Sequence, residues 1–66
     1  MDYILVVEHL LKRYRERRTD LEEMLSTGGA SDWGQYLRIV GEISGLRTAE
    51  QEILDLQKNM ERAETE

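Results

Sequence analysis

The sequence predicts an all-α protein, an antiparallel two-helix hairpin that is oligomeric or docked on a larger partner. Three observations predict it. Apolar residues recur at steps of three and four in two long stretches, the period of a helix face. One glycine-rich break separates those stretches, and the chain has no proline. The 66 residues make one domain at most, and at that size a chain buries only about 60% of the surface its unfolded form exposes.

The first helix is expected from about Asp2 to Leu25. Tyr3, Val7, Leu10, Tyr14, Leu21 and Met24 form its apolar stripe, and Ile4, Leu11 and Leu25 widen it. Arg17 fills the step in the middle, so charge interrupts the stripe. Asp2 suits the positive end of the helix dipole. The break is residues 26–31, Ser26-Thr27-Gly28-Gly29-Ala30-Ser31. A glycine just past the last periodic residue stops a helix, because it enters the left-handed region without a side-chain penalty. Ser31 or Asp32 then caps the second helix, and Asp32 with Gln35 has capping-box spacing.

The second helix is expected over about residues 32–62, followed by a frayed acidic tail at 63–66. Its buried stripe reads Trp33, Tyr36, Val40, Ile43, Leu46, Ile53, Leu56 and Met60. Trp33 and Tyr36 are expected to close the loop end of the hairpin as core. The stripe drifts backward on an ideal helix, as a period nearer 3.5 does, which implies left-handed wrapping around a partner helix. A short connection between two helices favours antiparallel neighbours.

Composition narrows function by exclusion. With no cysteine and one histidine, disulfides, thiolate sites and multi-histidine metal sites within one chain are excluded. Small scaffolds then turn to oligomerisation or docking for stability. The run Ile4-Leu5-Val6-Val7 is too short to span a bilayer and lacks the basic start of a signal peptide. The chain therefore reads as soluble, without a membrane role, and made in a cytoplasm.

A net charge of −5 disfavours general nucleic-acid binding. Charge is unevenly placed, however. Residues 12–18 hold five basic groups against one acid, and residues 50–66 hold six acids against Lys58 and Arg62.

No constellation carries catalysis. Ser26, Ser31 and Ser44 have only His9 in the chain as a base, and His9 lies near the far end of the first helix. Adjacent acids such as Glu22 and Glu23 have no enclosed pocket that would separate their pKa values. Gly28-Gly29 lacks the flanking strand and the lysine of a phosphate loop. No cofactor and no metal are expected, and the protein is read as not an enzyme.

Protein-binding candidates are better marked. Arg13, Arg15, Arg17 and Arg18 wrap round the first helix. Arg18 has Glu22 at pairing distance, and residues 40–47 alongside offer only Glu42 against Arg47, which leaves the block free for an acidic protein or for nucleic acid. The alternative is a solvated arginine-rich helix. Gly41 and Gly45 share a face of the second helix with Gly34 and Thr48. Each interior glycine costs about 1 kcal/mol relative to alanine, and such a stripe permits close helix approach. Either another subunit or the first helix itself packs there, or the glycines give a bend. Leu5 and Val6 point away from the first helix's stripe and suit a subunit contact.

The stretch from Ser26 to Trp33, with Tyr36, Gly41-Glu42-Ile43-Ser44-Gly45-Leu46, Ala49-Glu50 and Ile53-Leu54-Asp55-Leu56, resembles short helical-hairpin proteins of tailed bacteriophages. Trp33 stands where tyrosine or phenylalanine is more usual. The resemblance covers about residues 10–62 and implies a virion or host-cytoplasm setting. There the protein would be a structural or adaptor protein of the particle, docking on a capsid, portal or tail component in several copies. The rival is a small acidic regulator or inhibitor that occupies the nucleic-acid site of a host or phage enzyme, suggested by the acidic second helix.

Overall fold

The computed structural model describes residues 2–65, with side chains as far as Ala63. Two helices make up the fold, α1 over Tyr3–Ser26 and α2 over Trp33–Thr65. They pack against each other in antiparallel order: Leu21 sits with Ile39 and Ile43 near the loop, and Val7 lies beside Gln57 at the open end. The longest dimension is 51 Å, which is the length of α2 itself, since its 33 residues rise about 1.5 Å each. α2 continues past Arg62 to Thr65, through most of the tail expected to fray. Glu66 lies outside the described residues.

Local chemistry fixes each end. Asp2 accepts the Ile4 amide at 3.0 Å and caps α1. At the other end, Gly28 takes a φ of 78°, donates to the Leu25 carbonyl, and is followed by Gly29, which donates to the Met24 carbonyl at 2.8 Å. These two bonds form a Schellman motif, which satisfies carbonyls that the helix end would otherwise leave open. Gly29 is required for a different reason from Gly28. A Cβ there would lie 2.5 Å from Met24 Cγ and 2.8 Å from the Met24 carbonyl oxygen. Asp32 accepts the Gln35 amide at 2.8 Å to start α2. Gln35 reaches back to the backbone amide and hydroxyl of Ser31, a capping box displaced by one residue.

The buried seam departs from the expected stripes in an informative way. On α1 the seam runs through Val7, Leu11, Tyr14, Arg18, Leu21 and Leu25; on α2 it runs through Ile39, Ile43, Leu46, Glu50, Ile53, Gln57 and Met60, with half-buried Glu22, Ala49 and Leu54 at its edges. Both sets alternate strictly between steps of four and three, the heptad pattern of coiled helices. The seam therefore admits charge at Arg18, not at Arg17, and it admits Glu50. Reading only apolar residues passed over Glu50 and Gln57 and pulled the expected α2 stripe toward its aromatic start. Trp33 is instead 70% exposed and Tyr36 40%. The two rings stack on each other at 5.2 Å. Leu10, Met24, Val40 and Leu56 are also exposed and flank the seam.

A substitution series separates the glycines. Gly41→Ala, which meets nothing within 4 Å, is expected to stabilise dilute protein by about 1 kcal/mol. Gly28→Ala, forced to a positive φ, is expected to destabilise by about 1 kcal/mol, and Gly29→Ala by more. Urea unfolding of the three variants checks the order.

Candidate interaction surface

The two long flanks of the hairpin, one on each side of the seam, differ in kind. One is closed by charge. Glu50, buried to 6% exposure, accepts Arg18 Nε at 2.6 Å and Arg18 Nη2 at 3.1 Å, with Arg15 Nε 3.5 Å away. Arg18 Nη1 donates to Glu22 at 3.0 Å, and Glu22 accepts Arg47 at 3.2 Å. Charges alternate along this chain from Arg15 to Arg47, so each carboxylate lies between two guanidiniums. The planar fork of Arg18 suits two-point contact with a carboxylate.

These hydrogen bonds set the titration of the groups. Arg18 holds the Glu50 and Glu22 carboxyls below the ordinary value near 4.5. Burial opposes this at both groups but is the smaller effect. The Arg18 guanidinium is raised above its ordinary range by the same bonds.

The other flank is marked by the pair Arg17–Glu42, 3.0 Å apart. Steps of three and four from Arg17 along α1 reach Leu10 and Val6 on one side, and Asp20 and Met24 on the other. The same steps from Glu42 along α2 lead to Arg38 in one direction, and through Gly45, Ala49 and Glu52 to Leu56 in the other. Toward the open end this flank is apolar, with Val6 38%, Leu10 40% and Leu56 46% exposed.

The structure redistributes the arginine block. Arg15, Arg17 and Arg18 are all ion-paired to α2. The expectation that α2 leaves the block un-neutralised is thereby corrected: the register sets residues 12–18 beside about 46–52 and not 40–47, so Glu50 lies directly alongside the block. Among the described residues, Lys12 and Arg13 have no hydrogen bond or ion pair. Gly41 and Gly45 face away from α1, and a Cβ at either would meet nothing within 4 Å, so α1 does not pack on them. Leu5 is 64% exposed on the outer side of α1 and lines a shallow surface depression with Val6, His9 and Leu10. Sequence reasoning missed Leu37, 48% exposed, and assigned to the apolar stripes several residues that are exposed: Tyr3, Ile4, Leu10 and Met24 on α1, and Val40 and Leu56 besides the two aromatics on α2. A strict heptad reading that kept Glu50 in the seam would have placed Leu37 and Leu56 outside it.

Among the described residues, no helix is long and apolar enough to cross a membrane, and no cluster of acidic or histidine side chains is placed to hold a metal ion. The chain matches no family model, no curated protein and no solved structure.

Carboxyls titrating below their ordinary value stabilise the fold above that value and lose the contribution as pH falls through the depressed one. The thermal midpoint is therefore expected to fall as pH drops below about 4.5. Glu50→Gln is expected to lower the midpoint at pH 7 by roughly 5 °C and to flatten the acid limb. Glu42→Gln, at an exposed pair, should change it little. Circular dichroism melts from pH 7 to pH 3 check both.

Proposed function

We propose that the protein is a non-enzymatic structural or adaptor protein that docks as a helical hairpin on a larger assembly. One observation carries the reading. Among the described residues only Leu11, Leu21, Ile39 and Ile43 are buried hydrophobics, while eleven large hydrophobics are exposed. A hairpin with so small a core gains little stability from burial, and exposed apolar residues on this scale mark interaction surfaces. The outer faces supply the contacts: Leu5 on α1 and the open Gly41 on α2. Arg15, Arg17 and Arg18 shape the hairpin by pairing across it and offer only their remaining donors outward.

The setting follows from the resemblance of residues 10–62 to short phage proteins. In that setting the partner is a capsid, portal or tail component, and several copies are bound. Among the described residues, the unpaired cations Lys12, Arg13, Arg38 and Lys58 are scattered over both helices and do not form the cluster that tight binding to phosphates needs, where affinity grows with the number of phosphates neutralised.

Gly41→Leu tests the reading, because the added side chain enters open space and the hairpin stays folded. Co-sedimentation of the tagged protein with purified particles is expected to fall at least tenfold, with helical content unchanged. Undiminished co-sedimentation of both Gly41→Leu and a Leu5→Glu variant would show that neither outer face is a contact.

A further inference from the structure

The flank marked by Arg17 and Glu42 carries an assignment of its partner. This rests on the docking reading and names one occupant for one face. We propose that this flank takes a second copy of the same chain, related by a twofold axis along the length of the hairpin. The dimer is then an antiparallel four-helix bundle in which each α1 lies between its own α2 and the partner's.

The axis direction follows from how the flank is composed. Its apolar half lies at the open end, where both helices contribute, and its charged half lies toward the loop. An axis along the bundle lays apolar half on apolar half. An axis across the bundle would lay each apolar half on charges. With the axis along the bundle, levels along the hairpin are preserved. Within one chain Leu21 lies beside Ile43 and Val7 beside Gln57, so α1 and α2 run past each other residue for residue. Leu10 then comes level with the partner's residue 54, within one turn of the partner's Leu56, and Val6 with the partner's residue 58, within one turn of the partner's Met60.

Charge supports the same occupant. Arg13 and Glu52 have no hydrogen bond or ion pair among the described residues. They sit on this flank at the same level, one on each helix, so the twofold brings each Arg13 to the partner's Glu52. Asp20 and Arg38 are likewise unpaired. Across the dimer they stand in nearly the offset that Arg17 and Glu42 span at 3.0 Å within the chain. The other flank carries unpaired charges of its own among the described residues, Glu8 and Lys12 on α1 and Lys58 on α2, but its centre is occupied by the ion-pair chain from Arg15 to Arg47.

A stable interface of ordinary size takes roughly 800 Å² from each partner, a small share of the 5241 Å² that this chain exposes. A twofold contact of this kind is closed and self-limiting.

Sedimentation equilibrium tests the pairing. Wild-type protein at tens of micromolar is expected at twice the chain mass. Leu56→Glu, at an exposed position, should weaken association at least tenfold with helical content retained. Arg13→Glu should weaken it about threefold to tenfold, and adding Glu52→Arg should restore it. Because the chain has no cysteine, mixing a Leu10→Cys chain with a Leu56→Cys chain should give a mixed disulfide on oxidation. A monomeric wild type, an unchanged dissociation constant for Leu56→Glu, or absence of the mixed disulfide would each overturn the proposal. Gly41→Leu lies outside this flank and is expected to keep the dimer mass. Failure of the dimer and failure of docking on a larger assembly are therefore read separately.

Discussion

The half-buried pair of Arg18 and Glu50 is the contact on which the rest of the hairpin depends. Two helices joined by a short loop have no third element to fix how each is rotated. Apolar side chains alone would tolerate several rotations, because both helices carry apolar residues on more than one face. A guanidinium and a carboxylate in the seam do not tolerate them. Turning either helix away would break the two-point contact of Arg18 with Glu50 and the links onward to Arg15, Glu22 and Arg47. The pair thus selects the Ile39-Ile43 face of α2 over the Trp33-Val40 face. Burying a charge pair adds little net stability, but it specifies one arrangement.

That selection has a consequence for the surface. Once the seam is phased by Arg18 and Glu50, the aromatic start of α2 must lie outside, and so must Leu37, Val40 and Leu56. On α1, Leu5, Val6 and Leu10 are turned out in the same way. The exposed apolar area is therefore a product of the seam's phase and not of a loose core. Both flanks carry ion pairs and exposed apolar groups, but in different places: Val6, Leu10 and Leu56 lie toward the open end of one, and Val40 beside Glu22 and Arg47 toward the loop on the other. That difference in placement gives the dimer reading its direction.

Much of the local structure was legible in the sequence. The break at Gly28 and Gly29, the cap at Asp32 and the two helix spans follow from residue chemistry within a few positions of each end. Inward positions such as Val7, Leu11, Leu21, Ile43, Leu46 and Ile53 follow from the helical period. The exposure of Leu5 was readable for the same reason, since it points away from any consistent stripe, whereas the sequence left open whether α1 packs on the glycine face and the structure shows that it does not.

What the sequence determined by itself is thus the helices, their ends and their antiparallel order, because backbone preferences and capping act over a few residues. What only the tertiary structure decided is the phase of the seam and the use of the arginines. Glu50 and Gln57 look like surface residues in a pattern that scores hydrophobicity, and Trp33 and Tyr36 look like core. Their roles are exchanged by a contact between positions 18 and 50, separated by the whole turn. A period in one helix cannot report a charge supplied by another, so the pairing that phases the fold is visible only once the two helices are brought together.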